Sequence, residues 1–558
     1  MKRKYIDLLF IALAAGILFV PFLGGVHLFD WDEINFAESA REMLQTHDFL
    51  TVQINYHLFW EKPPLFIWMQ VLSMKLFGVN EFAARFPDAM AGVVTLMVLY
   101  LIGEKLFSRR FGLIWVLVYA GSILPQLYFR SGIIDPWFNL FIFLGIYFIV
   151  LYLESRKNRK EYLYIFLSSA FIGLAVMTKG PVGLLVLLLS LTIWFILRGS
   201  RKKIFRWRFL LIYGFTLLIV GGFWFILQIV DGRASLIMDF IQYQIRLFSR
   251  QDAGHGGFLL YHFVVLFFGV FPASVFMLPA FRKFRDKTDK QTIFRYWMMI
   301  SFWVVLILFT IVKTKIVHYS SFCYFPITFF ATYIIVRMIK GELRFPSWLK
   351  VTLIATAAVE GLVFIVLQLF IHYKDRIIAK GWIHDPFAIG NLQANVHWSG
   401  FEFLLGVFLL AGILISLFFF WKNIQKMVIG IFITSLVFTT LSVFIITPKV
   451  EGYSQNAAID FYAEHAGENA YVDVWGFKSY AQYFYFRKKP PETLPAVSPQ
   501  MQLNGNVSKP VYVVTKLTSK KAFQKRYPAF RLLYEKNGFD FFKRNPELKT
   551  KIKPDIND

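Results

Sequence analysis

Apolar runs of about 20 residues recur along most of this chain, and that is the length a helix needs to cross a bilayer. No water reaches the bilayer core, so every backbone N–H and C=O there must be paired inside the protein. That requirement makes each run a helix. Spans are expected near residues 5–26, 84–107, 111–128, 135–153, 162–178, 181–198, 209–230, 259–281, 296–312, 319–337, 351–371, 401–420 and 428–447. The chain therefore reads as a polytopic α-helical membrane protein with about 13 transmembrane helices. The short spans 162–178 and 181–198 meet at Lys179-Gly180-Pro181, where a tilt or break is expected. Only 17% of the 558 residues are charged, against about a quarter in a soluble protein.

The net charge of +25 would suit a nucleic-acid binder, but its location excludes that class. Lysines and arginines cluster in short loops between spans, as the positive-inside rule expects of a cytoplasmic rim. ESRKNRKE (154–161) and RKFRDKTDKQTIFR (282–295) are examples. With the N-terminus inside, an odd span count puts everything after about residue 447 outside. The opening MKRK and its apolar run resemble a signal sequence. The run is long and ends without a small-x-small site, so it is read as an uncleaved first span. The one cysteine, Cys323, rules out disulfides within the chain and cysteine-based metal sites.

Two domains follow. Residues 1–447 form the transmembrane domain. Residues 448–558 are more polar, with strand-like runs at 470–475, 480–486, 511–515 and 531–544 and helical stretches at 456–465 and 519–527. This tail is expected to be a small C-terminal α/β domain on the outer side.

The first outer loop, residues 26–83, carries most of the chemistry. It holds a cluster of acids in an acid-poor protein, and carboxylates beside a membrane must be solvated, paired or metal-bound. From Glu33, residues Ile34, Phe36, Ala37, Ala40, Met43 and Leu44 follow a 3.6-residue period, which predicts an amphipathic helix along the membrane surface. Glu38 and Arg41 fall on its other face, toward solvent or a substrate cavity. Pro63-Pro64 stops any helix running through Lys62 and fixes Glu61-Lys62 at the start of a second surface helix, LFIWMQVLSMKLF.

Asp32, with Glu33 beside it, is a candidate base for an acceptor hydroxyl. Lys62 is a natural phosphate partner as a point charge, and Glu61 can orient it or ligate a metal. His255, in the glycine-rich SRQDAGHGGF, is a second candidate ligand; a His–Glu pair falls short of the three or four ligands of a firm site. Arg246 and Arg250 are candidate phosphate partners in the same outer loop. Arg130, Asp135, Lys179, Lys313, Lys315, His318 and Tyr319 stand at outer span ends. Most are charged and run against the positive-inside trend, so they are expected to ring one polar cavity with the first loop, where Lys179, Lys313 and Lys315 are further candidate partners of a donor phosphate.

There is no Walker loop, G-x-S-x-G, HExxH or CxxC. With no nucleotide site and chemistry facing outward, a glycosyl or phosphoryl donor should be a lipid. The alternative is a transporter or flippase of lipid-linked sugars. That class needs charges or broken helices at the midplane and an internal repeat; here the charges sit at span ends and no repeat is evident.

The runs DWDEINFAESAREM, FWEKPPLFIW, RSGIIDP, GLAVMTKGPVGLL and KTKIVHY, in that order and spacing, resemble the aminoarabinose transferases of bacterial lipid A. These are polyprenyl-phosphate-sugar-dependent glycosyltransferases of the GT-C superfamily (glycosyltransferase family 83), related to protein O-mannosyltransferases. The resemblance covers roughly residues 5–340 and leaves out the tail. It implies a GT-C-like fold with 13 transmembrane helices and an outer soluble domain. It also implies inverting sugar transfer from undecaprenyl phosphate to a glycolipid, glycan or protein. The place would be the bacterial inner membrane, with the active site facing the periplasm. Asp32 would be the general base, and Lys62 would bind the carrier phosphate. Glu61 and His255 would share a divalent metal, zinc in the family. Asp135, Lys179 and residues 313–319 would line the cavity. Two departures stand out. The family carries arginine then tyrosine where this chain has Asn35 and Phe36, and no arginine follows His255 closely, leaving Arg250 to serve from the other side. These changes fall where donor and acceptor meet, so neither the sugar nor the acceptor is carried over.

Overall fold

The structure, a computed structural model, describes residues 2–155, 160–198, 206–249, 256–282, 284, 286–491 and 499–546. Each expected span is occupied by a helix or a bent helix pair. Among the described residues, eight helices are long and apolar enough to cross a membrane, or ten if each of two bent pairs counts as one span. The other three expected spans coincide with Val182–Arg198 and Leu404–Phe419, which are short, and Lys2–Phe19, which begins with Lys2, Arg3, Lys4 and Asp7. Small residues bring helices together where their backbones touch: a Cβ on Gly406 would lie 2.2 Å from the carbonyl oxygen of Gly361. Such close approach is how helices associate without a hydrophobic driving force between them.

The two bent pairs are corrections to straight spans. Arg109–Ala120 turns 84° into Ile123–Arg130, and Tyr261–Gly269 turns 106° into Ala273–Phe281. Pro272 cannot continue the hydrogen-bond ladder. The N–H of Ile123 donates to the carbonyl of Phe271 at 3.1 Å, so each break helps satisfy the other. Broken backbone is tolerated at membrane depth on that condition. The expected corner after Lys179 is also present: Lys160–Lys179 ends, Gly180 adopts φ 101°, and Val182–Arg198 begins. A Cβ at Gly180 would meet the Phe240 ring at 2.6 Å.

The first loop forms the helix Asp32–Thr46, a two-strand hairpin of β1 (Gln53–Ile54) and β2 (His57–Leu58), and the helix Leu65–Phe77. Leu65–Phe77 keeps an exposed apolar side through Leu72, Leu76 and Phe77, as a surface helix should. Asp32–Thr46 does not: it is buried on nearly every side from Glu33 to Met43. It is sandwiched between the transmembrane helices and the C-terminal domain, which the periodicity of one helix does not reveal.

The helix Ile424–Ser454 runs on past Pro448 before the C-terminal domain begins with Asn456–Glu464. That domain is built on a sheet ordered β3 (Tyr471–Trp475), β4 (Val511–Lys516), β6 (Phe539–Arg544), β5 (Arg531–Lys536), with β3 and β4 parallel and the other pairs antiparallel. Alternation divides its faces. Val511, Val513 and Phe542 pack under Phe523, Tyr527 and Phe530. Tyr512, Val514 and Phe541 face the other way, into a core shared with Leu28, Ile34 and Phe461. The run 480–486, expected as a strand, contains the helix Ala481–Tyr485 instead. All five of those residues are buried, and a short run buried all round has no periodicity to distinguish helix from strand.

Candidate active site

The first loop, the bent pair ending at Arg130, the start of Asp135–Glu154, the Lys179 corner, the Val317–Cys323 turn, and Ala234–Ser249 surround a cavity of about 920 Å³. Its walls are mixed. The lining includes apolar Phe22, Leu124, Leu127, Val443 and Phe444 and polar Asp32, Lys62, Asp135, Lys179 and His318.

Asp32 opens the Asp32–Thr46 helix. Trp31 before it holds φ 79° and ψ −110°, a backbone state that bulky residues rarely adopt and that costs about 1–3 kcal/mol. This turn aims the Asp32 side chain into the cavity, where it is 41% exposed and lies 3.2 Å from Nε2 of His318. Burial works to raise its pKa, but the hydrogen bond from His318 and the charges of Lys62 and Lys179 outweigh it and hold the carboxyl well below the usual range. Asp135 lies 3.8 Å from the same His318 nitrogen and is gripped by Lys179 at 2.6 Å, with its side chain only 3% exposed. Lys179 also lies over the rings of Tyr319 and Phe138.

Glu33 shares the acid pair with Asp32 in sequence but not in the structure. Arg85 binds both of its oxygens, Nε at 2.9 Å and Nη2 at 2.8 Å. The same carboxylate accepts the N–H of Phe29 at 2.8 Å and of Gly132 at 2.7 Å. Burial pushes its pKa up, and Arg85 more than reverses that. Glu33 touches the cavity wall, yet its oxygens are fully engaged in tying three segments together; its geometry is that of a clamp.

Lys62 and Glu61 both line the cavity, held by the Pro63-Pro64 corner. Lys62 lies 5.1 Å from the Tyr243 ring centroid, and the Tyr243 hydroxyl donates to Glu61 at 3.0 Å. Burial lowers the Lys62 pKa, with Glu61 and Asp32 acting in the opposite direction. Arg130 also lines the cavity, stacked over Phe444 with its guanidinium donating to the carbonyl of Leu18.

Four expected cavity residues lie elsewhere. Glu38 and Arg41 form a fork-to-fork ion pair with both contacts at 2.7 Å, fully buried beneath the C-terminal domain. Glu42 beside them keeps one oxygen without a partner. Lys313 points to the exterior, and Lys315 turns back to cap the Asp289–Ile311 helix through the carbonyls of Phe309 and Thr310 at 3.0 and 2.7 Å. These positions follow a general preference of cations for helix C-termini. Arg250 and His255 lie outside the described residues. Of the groups in the wall, Tyr243, Arg85, Trp31 and Lys478 were not anticipated. Arg85 was absorbed into a transmembrane run, and Lys478 belongs to the domain in which no catalytic cluster was visible.

Residues 61–224 match the dolichyl-phosphate-mannose-protein mannosyltransferase family. An uncharacterized protein of Aquifex aeolicus is 28% identical, over 57% of this chain and 61% of its own length. The undecaprenyl phosphate-alpha-4-amino-4-deoxy-L-arabinose arabinosyl transferase of Pectobacterium carotovorum is 24% identical over 69% of this chain and 71% of its own. The crystal structure of ArnT from Cupriavidus metallidurans bound to undecaprenyl phosphate superimposes with a TM-score of 0.76 at 16% identity, covering 96% of this chain and 97% of that one. The chain therefore shares the fold of that membrane protein, and in sequence it is similar to the aminoarabinose transferases, as its loop motifs led one to expect.

Proposed function

We propose that the chain transfers a sugar, with inversion, from a polyprenyl-phosphate carrier to an acceptor oxygen, in a bacterial inner membrane and on its periplasmic face. One observation carries the reading: an open carboxylate, Asp32, shares a cavity with the half-buried cations Lys62 and Lys179 and with apolar lining residues suited to a lipid tail. The similarity to a structure with undecaprenyl phosphate bound supports the donor class.

The carrier phosphate is placed against Lys62, whose charge offsets the negative charge of the leaving group. Asp32 receives the acceptor proton as the acceptor oxygen attacks the anomeric carbon, and the C–O bond to phosphate breaks on the opposite side. A base works best with a pKa near the working pH, and unliganded Asp32 lies far below that. The donor reduces the mismatch. An anion beside Lys62 and Lys179 offsets part of the charge that depresses Asp32, the contact with His318 remaining, so its basicity rises when donor is present. Asp135 and Glu33 are poorer candidates, each being closed off by its own cation.

A divalent metal remains part of the proposal. Glu61 and His255 would hold it, His255 lying outside the described residues; among the described residues no group of three His, Cys, Asp or Glu gathers to hold an ion. When bound, such a metal would add charge neutralisation at the phosphate. The sequence of proton and bond changes above does not depend on it.

The test is Asp32→Asn and Lys62→Ala in purified enzyme with an undecaprenyl-phosphate sugar. Asp32→Asn should fold and bind undecaprenyl phosphate normally while losing about 10²–10⁴-fold in turnover. Lys62→Ala should weaken undecaprenyl phosphate binding as well. Near-normal turnover in Asp32→Asn would remove Asp32 as the base.

A further inference from the structure

We propose that Asn139, acting through Ser321, is a positioning residue that holds His318 against Asp32. The inference rests on the reading of Asp32 as the base and names what fixes its partner. His318 lies on the short helical turn Val317–Cys323, and its Nε2 is 3.2 Å from Asp32 and 3.8 Å from Asp135. A side chain on so short a turn keeps such a distance only if the turn itself is tied down.

Two consecutive serines tie it. The Asn139 amide donates to the Ser321 hydroxyl at 2.7 Å, and that hydroxyl donates in turn to the carbonyl of His318. On the other side, Nδ1 of His262 lies 3.0 Å from the Ser320 hydroxyl. Asn139, Ser320, Ser321 and His262 are all buried, none of them more than 2% exposed. Asn139 stands one turn after Asp135 in the helix Asp135–Glu154, inside the apolar run FNLFIFLGIYFIV. Residues four apart share a helix face. One face of this helix therefore meets His318 twice: Asp135 near the ring, and Asn139 through Ser321 at the backbone. An amide in a membrane span is costly unless paired, and leucine has nearly the same shape. What the amide adds is a directed contact with the turn.

That contact has a use in the proposed reaction. A donor phosphate beside Lys62 and Lys179 offsets charges that keep Asp32 ionised, leaving the base open to protonation by water before an acceptor arrives. The N–H of His318 opposes this. Other titratable groups around Asp32 include Glu61, Lys62, Asp135, Lys179, Tyr243 and Lys478. None of them lies on the turn, so loosening the turn changes the His318 contact and leaves them in place. The helices packed on the turn bring Asp135, His262 and Tyr324 to it, while Lys315 is folded back on its own helix end.

The experiment uses the full chain in lipid nanodiscs without donor or acceptor, so that it reads the contact and not turnover. A water-soluble carbodiimide with glycine ethyl ester couples to protonated carboxyls. Tandem mass spectrometry follows Asp32 at pH 5, with Glu61 in the same wall as the reference for access. Wild-type Asp32 should label slowly. His318→Phe removes the N–H and should label Asp32 about tenfold faster, the change in protonated fraction for a rise of one pKa unit. Asn139→Leu and Ser321→Ala should each approach His318→Phe, whereas Ser321→Thr, which keeps the hydroxyl, should match the wild type. Wild-type labelling in Asn139→Leu, an acceleration in Ser321→Thr equal to that in Ser321→Ala, an equal acceleration at Glu61, or no acceleration in His318→Phe would each overturn the proposal. If Asn139→Leu does not fold, Asn139→Ala takes its place with the same two outcomes. Near-normal turnover in Asp32→Asn counts instead against Asp32 as the base and leaves the labelling result untouched.

Discussion

Replacing Arg85 with methionine should destabilise the protein severely, and the structure shows how much is at stake. All five guanidinium hydrogen bonds are made: two to Glu33, and one each to the carbonyls of Leu23 and His27 at 2.7 and 2.9 Å, with a further contact to Val26 at 2.8 Å. Both partners of the ion pair are buried, with side chains 4% and 7% exposed. Removing one member of a buried pair costs about 3–5 kcal/mol, because the other charge is left uncompensated. Three backbone carbonyls lose a partner as well, at about 1 kcal/mol each. The total is on the order of 5 kcal/mol or more, a large part of a typical folding free energy. Scanning fluorimetry in detergent should show a marked fall in melting temperature for Arg85→Met. The double variant Glu33→Gln with Arg85→Met should recover more than half of that loss, since it removes the orphaned charge. The cycle separates the ion pair from the carbonyl contacts. If Arg85→Met melted with the wild type, or if Glu33→Gln alone abolished transfer without lowering stability, Glu33 would be a chemical group and the clamp argument would fail.

Other expectations follow from single contacts. Glu42 is buried beside Glu38, and one guanidinium, Arg41, cannot balance both; burial and the neighbouring carboxylate hold the Glu42 pKa well above its ordinary value. A raised carboxylate pKa gives stability present at low pH and lost as pH rises through the folded value. Glu42→Gln should thus match the wild type at acid pH, where both side chains are neutral, and melt increasingly above it as pH rises past the ordinary glutamate value and through neutrality; an unaltered pH profile would show that the Glu42 pKa is not raised. Tyr243→Phe removes the hydroxyl on Glu61 but keeps the ring beside Lys62, so undecaprenyl phosphate binding should fall less than in Lys62→Ala, measured by the same titration. Purified protein should contain a divalent metal by elemental analysis, lost in Glu61→Ala and in His255→Ala; active wild type without metal would reduce Glu61 to orienting its neighbours. Reporter fusions at Lys202 and Lys287 should register the cytoplasm, and one at Ser508 the outside. A cytoplasmic signal at Ser508 would place the cavity on the wrong face for the proposed reaction.

Much of the architecture was already determined by the sequence, for a physical reason. A run of about 20 apolar residues has one way to satisfy its backbone in lipid, so the positions of the spans could be read directly. The helix starting at Asp32, the Pro63-Pro64 corner, the Lys179 break and most strands of the outer domain were legible for similar reasons, because periodicity and proline chemistry act within a few residues. Asp32, Lys62, Asp135, Lys179 and His318 were likewise recognisable as charges that lipid alone would not tolerate. Only the tertiary structure decided what each charge does. Glu33 and Asp32 are neighbours in the chain, yet Arg85, 52 positions beyond Glu33, closes one and leaves the other open. Glu38 and Arg41 look like a polar face until the C-terminal domain covers them, and Lys315 looks like a phosphate partner until it folds back on its own helix end. Lys478 enters the cavity from a domain whose sequence shows no site. In each case the deciding partner lies in another element or is set by a local fold of the chain. Charge and periodicity along one segment carry no information about that partner's direction.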